Sequence, residues 1–208
     1  MSVKVKICGI TNREDAQAAV AAGADLLGFV FCEASPRHVT VAEAAVIAEI
    51  VPPQVVRVGL FVNAPEELVA EAMSACGLQL LQFHGDETPE YCRQFGAMSM
   101  KAFRMKDAET LQHLREYPTD AWLLDAFVPG QRGGTGHTFN WELAVAAVQL
   151  GRPVFLAGGL TPENVAEAVR QVRPFGVDVS SGVEAAPGKK DHAKVRAFVQ
   201  AAKSVTEP

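Results

Sequence analysis

Short apolar runs and amphipathic stretches alternate eight times along this chain, and that alternation restricts the fold more than any other feature. The apolar runs are Val3 to Ile7, Asp25 to Phe31, Val56 to Val62, Leu78 to Phe83, Ser99 to Phe103, Ala121 to Asp125, Pro153 to Ala157 and Gly176 to Ser180. They are short and rich in Val, Leu and Phe, the pattern of strands covered on both faces. Between them lie helical signals. Asn12 to Ala22 opens on a capping residue and stops before Gly23. Thr40-Val41-Ala42-Glu43 has the reciprocal pattern of a capping box. Proline and acid mark helix starts at Asn63-Ala64-Pro65-Glu66 and Thr161-Pro162-Glu163. Further helices are expected near Asp107 to Glu116, Asn140 to Gln149 and Asp191 to Lys203.

The 208 residues allow about 26 for each βα pair, and no proline-rich linker divides them, so a single domain over 1–208 is expected. Alternation throughout predicts a parallel α/β sheet. Eight units predict closure into a (βα)8 TIM barrel, because closure leaves no strand edge exposed. An open doubly wound sheet is the alternative, without dinucleotide binding, since no GxGxxG follows the first strand. Closure has a consequence at Lys6. Strand periodicity sets Lys4, Lys6 and Cys8 on one face and Val3, Val5 and Ile7 on the other. With the apolar set against the helices, Lys6 points into the barrel and needs a partner. Asp178 in the eighth strand is that partner only if the sheet closes.

A net charge of -5 offers nothing to a nucleic acid or an acidic membrane surface, so an anionic substrate must be held by local groups. The alanine-rich stretches are broken by Glu and Asp, so no membrane span is expected. The four cysteines form no CxxC pair and no leader pattern opens the chain, which points to free thiols in a reducing cytoplasm. Cys76, His84 and Cys92 match no compact zinc spacing, and no metal is expected.

In such barrels the working residues lie where strands end at their carboxyl termini. Those positions are Cys8, Arg37, Gln82, His84, Arg104, Asp125, Gly133 to Gly136, Gly158, Gly159 and Ser180 to Glu184. Three glycine-rich turns fall after the last three strands: Gly133, Gly134 and Gly136; Gly158 and Gly159; Ser180, Ser181 and Gly182. Glycine lets backbone N–H groups approach an oxyanion, and a short helix near Ser181 would aim its free N–H groups at the same place. One such turn alone is a tight turn; three at neighbouring strand ends suggest a phosphate site. Gly188-Lys189-Lys190 lacks the glycine spacing and leading strand of a P-loop. Arg37 follows Ser35-Pro36, and its planar guanidinium suits a carboxylate, unless it is an exposed loop arginine. His84 reads best as a satisfied polar anchor, and Glu184 as structural or near a sugar hydroxyl. His38, His113, His137 and His192 read as surface residues. Asp125 could be an acid and Cys8 a base; the competing reading is a loop-anchoring aspartate and an inert buried thiol.

The chain resembles the phosphoribosylanthranilate isomerase family along nearly its whole length. The resemblance is carried by Lys6-Ile7-Cys8-Gly9-Ile10-Thr11, Gly28-Phe29-Val30-Phe31, Ser35-Pro36-Arg37 and Gln82-Phe83-His84-Gly85-Asp86-Glu87. It continues through Leu124-Asp125, Gly133-Gly134-Thr135-Gly136, Leu156-Ala157-Gly158-Gly159-Leu160 and Asp178-Val179-Ser180-Ser181-Gly182-Val183-Glu184. It implies a (βα)8 barrel and a cofactor-free Amadori rearrangement of N-(5-phosphoribosyl)anthranilate in tryptophan biosynthesis. It further implies Asp125 as general acid, Cys8 as general base, Arg37 on the anthranilate carboxylate and the glycine-rich loops on the phosphate. The implied partner is a small phosphosugar, not nucleic acid or membrane, with the chain a monomer or homodimer. Phe83 stands where leucine is usual, and Asn140 where aspartate is common; Asn140 can still cap a helix. The alternatives are the histidine-pathway isomerase, which needs a second phosphate cradle in the N-terminal half, and a non-catalytic phosphosugar sensor, which has no need of Cys8 with Asp125.

Overall fold

The computed structural model describes residues 2–126 and 141–205. Eight parallel strands form a closed barrel: β1 (Lys4–Cys8), β2 (Leu26–Val30), β3 (Val56–Phe61), β4 (Leu80–Phe83), β5 (Met98–Met105), β6 (Ala121–Ala126), β7 (Val154–Leu156) and β8 (Gly176–Val179). Helices follow in order: α1 (Arg13–Ala22), α2 (Val41–Ala48), α3 (Glu66–Cys76), α4 (Pro89–Arg93), α5 (Ala108–Leu114), α6 (Trp141–Val148), α7 (Val165–Val172) and α8 (His192–Lys203). The open doubly wound alternative is excluded, because β1 pairs with both β2 and β8.

Local chemistry sets the helix ends. Asn12 accepts a hydrogen bond from the Asp15 N–H, and Gly23 closes α1 at φ 92, a left-handed value that a side chain would resist. Thr40 and Glu43 form the reciprocal box expected of them. After Thr161 the helix starts later than proline and acid suggest. The Asn164 side chain accepts from the Thr161 N–H at 2.8 Å, closing a turn, and α7 begins at Val165. Cys8 extends β1 by one residue beyond the apolar run, because it still pairs with Gly28. Asn140 lies outside the described residues.

Two apolar layers hold the molecule. Val5, Ile7, Leu27, Phe29, Phe61, Leu81, Phe83 and Val177 face the helices. Phe83 sits among Phe61, Tyr91 and Phe95, with ring centroids 5.6–6.3 Å away, so the ring that replaces leucine is a packing element. Inside the barrel, Leu26, Val58, Leu80, Met100, Leu123 and Phe155 pack together. Gly176 leaves room there for the Phe155 ring. Above this plug the interior turns polar. Lys6 is fully buried and donates to Asp178 Oδ1 at 2.8 Å, the contact that closure requires. No described helix is long and apolar enough to cross a membrane.

Candidate active site

The carboxyl ends of the strands surround a cavity of about 350 Å³, within the usual range for a small-molecule site. Its wall contains Cys8 from β1, Arg37 from the loop after β2, Gln82 and His84 at the end of β4, Arg104 from β5 and Asp125 from β6. Gly158, Gly159, Ser180, Ser181 and Gly182 complete it on the β7–β8 side. Of the described positions expected at the rim, only Val183 and Glu184 are not in this wall. Gly133, Gly134 and Gly136 lie outside the described residues.

The β7–β8 side is built for close backbone approach. Gly158 and Gly159 have φ 80 and 68, conformations that favour glycine. A side chain on Gly182 would drive into the Leu160 carbonyl oxygen. A single 3₁₀ turn, Ser181–Val183, follows β8, where a short helix near Ser181 was expected. The Ser180 hydroxyl is buried without a partner among the described residues. The opposite side is apolar: Val30 and Leu60 pack with Cys8, flanked by Cys32 and Val62.

Arg37 is aimed inward but not free. Its Nε and Nη2 donate to the two Glu184 carboxylate oxygens at 2.8 and 2.7 Å, a bidentate clamp. Glu184 also accepts from Lys190 Nζ at 2.9 Å. Burial opposes the Glu184 charge, but Arg37 and Lys190 outweigh it and hold the carboxyl below its ordinary value. Burial lowers the Lys190 ammonium despite that pairing. Of the two roles expected of Glu184, structural or near a sugar hydroxyl, these contacts fit the structural one. Lys190 was not legible as a site residue. It lies on a two-stranded hairpin, β9 (Glu184–Ala186) with β10 (Lys189–Lys190), that no apolar alternation announces. Gly188, at φ 77, makes its turn.

His84 is an anchor and more. Its Nδ1 is 3.0 Å from Gln82 Nε2, and its Nε2 is 3.4 Å from Asp125 Oδ2. His192 keeps its surface position, with a side chain 42% exposed, but gains a partner that the sequence did not show: its Nε2 lies 2.7 Å from the buried Asp15 carboxylate. Cys8 is 4% exposed. Burial pushes its thiol up from 9.0, and Asp178 adds to that, while Lys6 and Lys190 pull the other way.

A closed eight-stranded barrel with its thiol, carboxylates, arginines and glycine turns gathered at the carboxyl rim has the architecture of a (βα)8-barrel enzyme. Comparison narrows the class. The sequence profile described as N-(5'phosphoribosyl)anthranilate (PRA) isomerase matches residues 5–201, and the chain belongs to that family. It is 56% identical over 201 residues to the N-(5'-phosphoribosyl)anthranilate isomerase of Trichlorobacter lovleyi, covering 97% of this chain and 98% of the relative. The Geobacter sulfurreducens enzyme of the same name gives the same identity and coverage. The crystal structure of phosphoribosyl anthranilate isomerase from Thermotoga maritima superposes with a TM-score of 0.92 at 42% identity, covering 98% of this chain and all of that one (100%). A phosphoribosyl anthranilate isomerase in complex with reduced 1-(o-carboxyphenylamino)-1-deoxyribulose 5-phosphate superposes with a TM-score of 0.88 at 41% identity, with the same coverage.

Proposed function

We propose that this isomerase of tryptophan biosynthesis works through Asp125 as general acid and Cys8 as general base. The reaction is the Amadori rearrangement of N-(5-phosphoribosyl)anthranilate to 1-(2-carboxyphenylamino)-1-deoxyribulose 5-phosphate. The Asp125 carboxylic acid gives its proton to the furanose ring oxygen. The C1′–O bond breaks as the anilino nitrogen forms an iminium with C1′. That iminium is the electron sink. The Cys8 thiolate takes the C2′ proton, and the bond pair becomes the C1′=C2′ double bond of an enolamine. Tautomerisation moves the hydroxyl proton from O2′ and adds one at C1′, leaving the ketone. Net proton change is zero, so Cys8 sheds and Asp125 regains one proton before the next turnover. Each group is worth about 10²- to 10⁴-fold.

The observation that carries this reading is that Cys8 and Asp125 line one cavity from strands that are not neighbours in the barrel. Attack on a ribose from two sides needs that arrangement. The remaining walls suit the rest of the substrate. Backbone approach at Gly158, Gly159 and Ser180 to Gly182 fits the phosphate, with Gly133, Gly134 and Gly136 as further contacts in the same role. The apolar wall of Val30, Leu60 and Val62 fits an aromatic ring better than the second phosphate of the histidine-pathway substrate. Arg37 receives the anthranilate carboxylate, exchanging part of its clamp on Glu184. Four free thiols suit a reducing cytoplasm. The chain acts as a monomer or homodimer; one solved Thermotoga maritima relative is described as a monomer made from a dimeric enzyme.

The test mixes purified protein with freshly formed phosphoribosylanthranilate and follows anthranilate fluorescence. Turnover is expected in the wild type, with losses of about 10²- to 10⁴-fold in Cys8→Ala and in Asp125→Asn. Full activity in either variant would remove that residue from its role. Arg37→Met should raise KM by about tenfold with a smaller change in kcat, the sign of lost uniform binding.

A further inference from the structure

Resting on Cys8 as the base, we propose that Lys6 is a positioning residue that holds the charge of the Cys8 thiolate, with Asp178 setting how much of the Lys6 charge is available. A bare thiolate at a site as buried as that of Cys8 is costly, so a base there needs a nearby counter-charge. Lys6 and Cys8 are two residues apart on β1 and project into the same interior. β2 lies alongside them, and its Gly28 opens the space they share. A carbon placed on Gly28 would lie 2.8 Å from Cys8 Sγ and 3.1 Å from Lys6 Nζ. The ammonium and the sulfur therefore border one vacancy, with no side chain between them from that strand.

The other cations around Cys8 already have a carboxylate partner. Asp178 faces it from β8, Lys190 from β10, and Arg37 from the loop after β2. Lys190 and Arg37 are both bound to Glu184, which spreads one negative charge over two cations. β2 and β3 present Val30 and Leu60, which carry none. Lys6 binds Asp178 through one oxygen, Oδ1. As Cys8 ionises, Lys6 shares its charge between carboxylate and thiolate. As Cys8 takes up the C2′ proton, Lys6 returns to Asp178. A lysine present only to fill the barrel would leave the titration of Cys8 unmoved.

The test compares Asp178→Asn with Lys6→Met/Asp178→Asn, so that removing Lys6 leaves no lone carboxylate behind. Alkylation of Cys8 by iodoacetamide is followed across pH by peptide mass spectrometry, which separates Cys8 from Cys32, Cys76 and Cys92. Circular dichroism checks folding. Asp178→Asn should lower the Cys8 midpoint below wild type. Adding Lys6→Met should raise it again by at least about one pH unit, or about tenfold in thiolate at fixed pH, with kcat falling more than KM rises. Coincident midpoints in the two folded variants would overturn the proposal. If Asp178→Asn fails to fold, wild type against the double variant decides: a raised midpoint supports the role of Lys6, and an unchanged one overturns it. Separated midpoints in a protein that turns over no phosphoribosylanthranilate would sink the functional reading and leave the pairing intact. Turnover with coincident midpoints would do the reverse.

Discussion

Lys101–Glu87 and Lys6–Asp178 are both buried lysine–carboxylate pairs, and they differ in how completely the backbone satisfies them. Lys101 faces outward from β5 and lies 3.3 Å from Glu87. Its ammonium also donates to the carbonyls of Phe83, Gly85 and Ala102, at 2.7–3.4 Å. Glu87 accepts from the N–H groups of Asn63 and Gly85. The pair thereby ties the ends of β3, β4 and β5 together beneath the loop that presents His84. Lys6 and Asp178 lie inside the barrel and share a single bond at 2.8 Å. Lys6 also interacts with the Cys8 thiol, and Asp178 forms part of the cavity wall. A charge saturated by backbone groups has nothing left to give to chemistry. A charge with one fixed partner can respond when a neighbour gains or loses a proton.

The sharpest way to break this contrast is Lys101→Met. It leaves Glu87 charged in an apolar layer and should cost about 3–5 kcal/mol of unfolding free energy. Urea titration reads the loss, and kcat of the folded fraction should stay close to wild type. A large fall in kcat without a fall in stability would erase the distinction between the pairs. Gly28→Ala probes the other pair with one methyl group. Its carbon would crowd both Cys8 Sγ and Lys6 Nζ. Overpacking there should cost about 1–3 kcal/mol, and the fall in kcat/KM should exceed that of an alanine placed at a glycine away from the rim. Unchanged kinetics would mean that the space beside Cys8 is slack.

A smaller effect is expected from acid. Hydrogen bonds from Arg37 and Lys190 hold the Glu184 carboxyl below its ordinary 4.5 in the folded protein. A group lowered on folding stabilises above its unfolded value, and that contribution disappears as pH falls through the folded value. Stability should therefore decline as pH drops below about 4.5, and Glu184→Gln should flatten part of that decline. Urea midpoints measured from pH 6 to about 3 check it. Equal slopes in wild type and variant would show that the Arg37–Glu184–Lys190 cluster adds no acid-sensitive stability.

How much was legible varies from residue to residue. Thr40 with Glu43, and Asn12 with Asp15, were readable because a cap and its partner lie within one helical turn. The inward face of Lys6 was readable because a strand alternates. The link from Arg37 through Glu184 to Lys190 was not, since it joins a loop after β2 to a hairpin after β8, 147 residues away. The same holds for His192 and Asp15, separated by 177 residues. Nor does any local signal show that His84 reaches Asp125, because strand order and register decide that approach.

Alternation of apolar runs and helical stretches, with glycines and a thiol where strands stop, was enough to specify eight βα units and the rim at which their chemistry gathers. Those are properties of neighbours along the chain, governed by side-chain periodicity and capping. Lys6 could be matched to Asp178 from the sequence once closure was assumed; only the folded barrel decided the other meetings of charge, such as Arg37 with Glu184 and His192 with Asp15. Closing the sheet sets β1 against β8, and the shear of a closed barrel fixes the register that brings Lys6 to Asp178. Electrostatic partners are chosen by distance in space, and in a parallel barrel every neighbouring strand comes from another part of the sequence.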